Sequence, residues 1–423
     1  MNQTERIKAV TARTILQATG IVCGLLSLTT PAPLWAADGG VVLTFGLGQL
    51  LESNTDSAGN QTLSAATQLS FGLSSQTRLS TLAFDVSGGL SAVNGPGTDP
   101  AQFDISDPDL TLSYQRLGAN ASFGLTASAQ EQSLQFLDLL QNPEDITDLT
   151  DLIGTGLLRA SSLQTTLSWG DASPFGIGLS AGFSRNDYVG VTDPDLVDNR
   201  QQTLGVEARF RLNAAASASL GLNFRHFVED GVSGTDRRTK GLQAGLVLDR
   251  PTGAWDANLQ INETPEGRRS SLDFGRSVTL PNGKISANLG ATLAENGKTY
   301  LTGVFSLQAE GPRSQIATTL SRDVGVGNDD TATLLSTLAV SYSQVLDPRT
   351  SLDLGLTYQD SQDIATGLVI QTGSLGASVN YALTRDWGLN AGVHHDLRTE
   401  DGLDQTATNT VFLQLSRSFT FRP

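Results

Sequence analysis

The stretch "PFGIGLSAGF" (residues 174–183) decides the fold of this chain. Phe175, Ile177, Leu179, Ala181 and Phe183 alternate with Gly176, Gly178, Ser180 and Gly182. Successive side chains on a β-strand point to opposite faces, so one face of this stretch is apolar and the other polar. A helix would need its apolar residues three and four apart. The alternation recurs on both sides. In "TQLSFGLSS", Leu69, Phe71 and Leu73 oppose Gln68, Ser70, Gly72 and Ser74. In "KISANLGATLA", Ile285, Ala287, Leu289, Ala291 and Leu293 share a face, and in "SLDLGLTY" Leu352, Leu354, Leu356 and Tyr358 oppose Asp353, Gly355 and Thr357.

Such stretches fill the chain from about residue 41 onward, with almost no helical pattern between them. A soluble sheet can carry one or two of them. A long succession points to strands with oil on one side and water on the other. In a bilayer every backbone N–H and C=O must be paired within the protein, which leaves only helices and closed barrels. No segment after the start of the chain reaches the roughly 20 apolar residues that a spanning helix needs. The pattern therefore predicts an all-β fold, a transmembrane antiparallel barrel of about 20 strands (16–20).

The connections agree. Very short turns, such as those near residues 118–120, 250–252 and 281–283, alternate with longer polar loops such as 93–107, 187–200 and 399–407. Barrels of the outer membrane have short periplasmic turns and longer external loops, so both termini are expected in the periplasm. Trp169, Trp255 and Trp387 each lie within a few residues of a short turn. Amphipathic rings favour the membrane interface, and these three read as anchors at the inner rim.

Residues 1–36 read as a secretory signal: Arg6, Lys8 and Arg13, then an apolar core over residues 21–28, then Leu34-Trp35-Ala36 as cleavage site. Residues 37–423 are then the barrel. Cys23, the single cysteine, falls inside the signal, and Val22 before it argues against lipidation. No disulfide, thiolate or cysteine-based metal site is then expected. With the first strand starting at about Val41, no N-terminal plug is expected either. Loss of Glu5, Arg6, Lys8 and Arg13 with the signal takes the formal charge from −16 to −18. So acidic a chain is a poor partner for nucleic acid.

One segment breaks the alternation. Residues 131–160 contain "QSLQFLDLLQNPEDITDLTDLIGTG", with Asn142 as N-cap, Pro143 at the first helical position and Gly154 as terminator. Ile146, Leu149, Leu152 and Ile153 would share the apolar face, leaving Asp148 and Asp151 toward water. Two placements are open: a helix folded into the pore, or one covering the mouth. The wall offers candidate pore-lining charges. Leu204, Val206, Ala208, Phe210 and Leu212 claim the lipid face of one strand, which sends Glu207, Arg209 and Arg211 to the lumen. Leu220, Leu222 and Phe224 do the same for Asn223 and Arg225. A charge facing lipid at midplane costs about 2–4 kcal/mol, so the inward assignment is the cheaper. Such a wall either sets ion selectivity or consists of solvated residues pairing with each other. Arg276 conflicts with this scheme, because Leu272 and Phe274 send it into lipid unless Gly275 makes a bulge.

Other signals dissolve on inspection. Residues 178–182 match G-x-S-x-G, but the serine needs a strand–turn–helix elbow and here sits in mid-strand. His394 and His395 are adjacent on a strand and point apart, so they do not converge on a metal. No catalytic group, cofactor site or metal site is expected.

The C-terminal "TNTVFLQLSRSFTF" alternates and closes on Phe419-Thr420-Phe421. It resembles the terminal strand by which Gram-negative barrels are recognised by their assembly machinery, although Arg422 and Pro423 follow the aromatic. The opening "VVLTFGLGQLLESNTD" with "TQLSFGLSSQTRLSTLAFDVSGGL" resembles the β-barrel porins of proteobacteria, some of them associated with exopolysaccharide loci. That resemblance implies a channel in the cell outer membrane, in contact with lipid and lipopolysaccharide, passing small hydrophilic solutes by diffusion. The alternatives are an accessory barrel for exopolysaccharide secretion and a structural surface protein. An oligomer is compatible with the class, but no interface is legible.

Overall fold

A strand that is apolar on one face and polar on the other cannot satisfy its backbone alone. It needs a neighbour on each side, and a membrane admits no open edge. The computed structural model describes residues 40–94, 103–133, 156–191, 197–230, 234–326, 332–364, 366–400 and 405–422. These form 20 strands: β1 (Val41–Asp56), β2 (Gln61–Gln76), β3 (Ser80–Asn94), β4 (Phe103–Leu117), β5 (Ala121–Ser133), β6 (Leu157–Trp169), β7 (Phe175–Val189), β8 (Asn199–Asn213), β9 (Ala216–Glu229) and β10 (Asp236–Arg250), followed by β11 (Gly253–Thr264), β12 (Gly267–Leu280), β13 (Gly283–Leu293), β14 (Thr299–Glu310), β15 (Ser314–Val326), β16 (Ala332–Asp347), β17 (Thr350–Asp363), β18 (Val369–Ala382), β19 (Trp387–Glu400) and β20 (Thr406–Phe421). Each pairs antiparallel with the next, and β1 pairs back on β20 from Leu43↔Phe421 to Asp56↔Thr408, which closes the sheet. With strands about 4.8 Å apart and tilted about 40°, a 20-strand cylinder has a backbone diameter of roughly 40 Å.

Burial is inverted relative to a soluble protein. Leu289 and Leu301 are 66% and 71% exposed, whereas Thr292 and Gln414 are 2% and 5% exposed. The exposed apolar set keeps a period of two around the cylinder, and the buried polar residues occupy the alternate positions. The apolar positions therefore face lipid and the polar ones face the lumen. This is the expected antiparallel barrel, and it has the architecture of an outer-membrane protein.

β1 begins and β20 ends at the end of the cylinder that carries the short turns, here called the turn end; the opposite end is the loop end. Several strands run further toward the loop end than the alternation suggested. β5 continues to Ser133 and β6 begins at Leu157, so both flanks of the 131–160 segment are strand rather than loop. The expected helix within it, with Asp148 and Asp151, lies outside the described residues, as does the expected signal over residues 1–36.

No bulge rescues Arg276. Its register is unbroken on both sides, Trp255↔Arg276 and Arg276↔Ala287. The side chain faces outward near the turn end, with Cζ 4.7 Å from the Trp255 ring centroid. The apparent conflict resolves by depth, because a lipid-facing cation costs only about 0–1 kcal/mol at the interface.

Candidate functional site

The lumenal faces of β7, β8, β9 and β10 converge at the turn end on a recess of about 400 Å³. Alternation selects its lining. With Phe175 and Ile177 outward, Gly176 faces in; with Phe210 outward, Arg209 and Arg211 face in, and Glu207 lies one pleat deeper. The floor is the turn over residues 170–174. Gly170 takes a φ of +81°, and a Cβ there would collide with the Phe175 carbonyl, so only glycine turns this corner. Asn120 ties the turn down, accepting from the Ala172 backbone N–H at 3.0 Å and the Ser173 hydroxyl at 3.2 Å.

That turn delivers the partner which strand alternation cannot show. Arg209 Nη2 donates to Asp171 Oδ1 at 2.6 Å. Asp171 also accepts from the Ser168 hydroxyl at 2.8 and 2.7 Å, and Ser168 lies 2.6 Å from Ser122 Oγ. The Ser168 hydroxyl, and after it the Arg209 guanidinium, hold the Asp171 carboxyl below the ordinary carboxylate range. A depressed folded-state pKa gives stability that is complete above the ordinary value of about 3.9 and lost as pH falls through the lower folded value. The clasp therefore stays charged through mild acid. The stability difference between the parent and Asp171→Asn should narrow as pH falls below about 4 and close once pH has passed the lowered folded-state value, where both carry a neutral side chain. Urea titration of heat-modifiable mobility at pH 7 and in strong acid checks this, and an undiminished difference in acid would refute it.

Of the residues singled out by alternation, Glu207, Arg209 and Arg211 line this one recess. Arg209 is committed to Asp171, whereas Glu207 and Arg211 have no hydrogen-bond or ion-pair partner among the described residues. Asn223 and Arg225 lie further along β9, away from the recess; the Asn223 amide lies across Gly241 on β10, and Arg225 pairs in register with Thr203 and Thr239. Ser180 sits in the middle of β7, and His394 and His395 diverge as strand neighbours must, toward Ser374 (2.8 Å) and Asn409 (2.7 Å).

A second feature escaped the sequence reading. Two aspartates lie on the wall beyond β10: Asp256 on β11, near the turn end, and Asp273 on β12, at mid-height, face the lumen, opposite in parity to the outward Trp255, Leu272 and Phe274. Each carboxylate lies flat across a glycine of the next strand, Asp256 over Gly275 and Asp273 over Gly290, where any Cβ would collide with it. Their partners are neutral: Asn288 donates to Asp256 at 3.3 Å and Thr302 to Asp273 at 3.5 Å. The effect is a wall that carries negative charge while its side chains hug the sheet.

No protein-family model and no curated protein matches this chain. Solved structures do match. The siderophore receptor PirA from Acinetobacter baumannii is 10% identical, over 90% of this chain and 81% of that one, with a TM-score of 0.52. The ferric enterobactin receptor PfeA of Pseudomonas aeruginosa in complex with enterobactin is 12% identical, over 89% and 81%, with a TM-score of 0.51. The FrpB iron transporter from Neisseria meningitidis is 8% identical, over 90% and 83%, with a TM-score of 0.50. At these identities the likeness is one of fold, and the fold it shows is the outer-membrane β-barrel.

Proposed function

We propose that the chain is a water-filled path through the outer membrane for small hydrophilic solutes, with the turn end and both termini in the periplasm. The observation that carries this reading is the lumenal wall. Barrels of 16–18 strands already enclose an aqueous channel, and this one has 20. Among the described residues, polar side chains folded flat over glycines project little into that width. Purified barrel in planar bilayers is expected to give discrete conductance steps. Folded protein, verified by heat-modifiable mobility, that never conducts would overturn the proposal.

A second reading draws support from the fold likeness to receptors named for siderophores and iron: binding and uptake of a metal chelate rather than free diffusion. It predicts saturable binding of a ferric siderophore with little ion conductance, the reverse of the first. The export reading rests only on the likeness of residues 41–56 and 67–90 to porins of exopolysaccharide loci, and loss of secreted polysaccharide on gene deletion would favour it.

A further inference from the structure

The ladder between β14 and β15 stops short of the loop end. Its last pair is Gly303↔Arg322, and residues 299–302 of β14 pair only with β13 among the described residues. β15 itself runs on, paired with β16 as far as Val326↔Ala332, and β16 stays paired with β17 to Thr333↔Asp363. Beyond the split, β15, β16 and β17 travel together as one sheet that has left its neighbour.

Parity fixes where that sheet goes. Thr292 on β13 and Tyr300 on β14 face the lumen, opposite to the exposed Leu289, Leu293 and Leu301. Val324 and its partner Leu334 share the outward parity of the exposed Leu320, so they should be exposed too. Instead they are buried together with Ala294, and Tyr300, Ala332 and Ile364 close around them. Thr292 is left only 2% exposed, although its face of the strand borders the lumen. Outward side chains can rest on lumen-facing ones only if the ends of β15–β17 pass inside the β13–β14 hairpin. The wall overlaps itself there, and the second layer stands about 10 Å in from the first.

Arg269 fastens the overlap. From the lumenal face of β12 it reaches past the β13–β14 hairpin, and its Nη1 donates to the Val324 and Gly325 carbonyls at 2.9 and 2.7 Å. Glu295, in the β13–β14 turn, places Oε1 3.6 Å from Arg269 Nε, and the two side chains are 11% and 8% exposed. Charges lining an open, watery mouth would stay solvated. This pair is enclosed, and loss of either partner would strand the other.

We propose that this overlap, latched by Arg269, narrows the loop-end mouth and sets the size limit for solutes. The size limit rests on the channel reading; the latch does not. Cysteine labelling of the folded chain, with Cys23→Ser as background, reads the latch directly. Thr292→Cys should react with a membrane-impermeant maleimide about tenfold more slowly than Val304→Cys, which faces the lumen below the split and is 43% exposed. Adding Arg269→Ala should bring the two rates to within about twofold. Leu334→Asn should act in the same direction without touching the ion pair, with heat-modifiable mobility as the folding check for both. Arg322→Ala, on the exposed face of β15 at the split, should leave the rates unchanged. In planar bilayers Arg269→Ala should raise single-channel conductance by about half, as a layer about 10 Å deep swings aside. Equal labelling of Thr292→Cys and Val304→Cys in the parent would overturn the overlap. Faster labelling of the variants with unchanged conductance would overturn its role as the constriction. Labelling needs no conduction, so a barrel silent in every variant would sink the channel reading and the size limit with it, while the overlap is judged by labelling alone.

Discussion

Leu222→Lys is expected to destabilise the folded barrel by about 2–4 kcal/mol, while Asn223→Lys, one residue further on, shifts stability by about 0.5 kcal/mol or less. Both residues sit at the midpoint of β9, so depth is the same for the two. They differ in face. Leu222 is 60% exposed and pairs with Val206 and Leu242, both apolar and outward. A lysine there holds its ammonium in hydrocarbon, too far from either rim to reach water along its stem. At Asn223 the same ammonium extends into the lumen. Refolding into lipid vesicles followed by denaturant titration measures both, with heat-modifiable mobility as the folding check. Equal costs at the two positions would mean that the two faces do not differ in solvent. The whole inside–outside assignment would then fail.

That contrast is also where the sequence was most legible. Alternation needs only the identity of near neighbours, so the strand count, the antiparallel closure and the inward direction of Glu207, Arg209 and Arg211 could all be read before any coordinates. What needed coordinates was register. Asp171 meets Arg209 across 38 residues of sequence, from a turn whose shape depends on the positive φ of Gly170. Arg276 looked like an error in the pattern because its tryptophan partner lies on the preceding strand, and pairing cannot be deduced from one strand alone. Asp171 and Asp249 join Glu207, Arg209 and Arg211 in the recess only through the turn and the pairing of β8 with β9 and β10, and Asp256 and Asp273 beyond it read in sequence as ordinary polar positions on alternating strands.

Those aspartates set the second large expectation. Asp256→Asn with Asp273→Asn should cut the cation-over-anion permeability ratio by roughly fourfold for each carboxylate removed, measured as reversal potentials in a salt gradient at low ionic strength. A unit charge about 10 Å from an ion in water is worth about 0.4 kcal/mol, or roughly a twofold change in local concentration. The change is opposite in sign for cations and anions, so the ratio moves by its square. Arg211→Ala should act in the other direction, raising cation preference, because Arg211 has no partner among the described residues to neutralise it. Arg209 differs: removing it uncovers Asp171, so its loss also favours cations, and Asp171→Asn, which leaves Arg209 uncompensated, favours anions. All of these shifts should shrink at 1 M salt, where the Debye length falls to about 3 Å. The aspartate exchange replaces each carboxylate with a side chain of the same shape, already lying over Gly275 or Gly290, so pore width is unaltered. A ratio that holds steady through both exchanges would place the path of ions away from β11 and β12. The conducting route would then run through a part of the lumen in which these charges have no say.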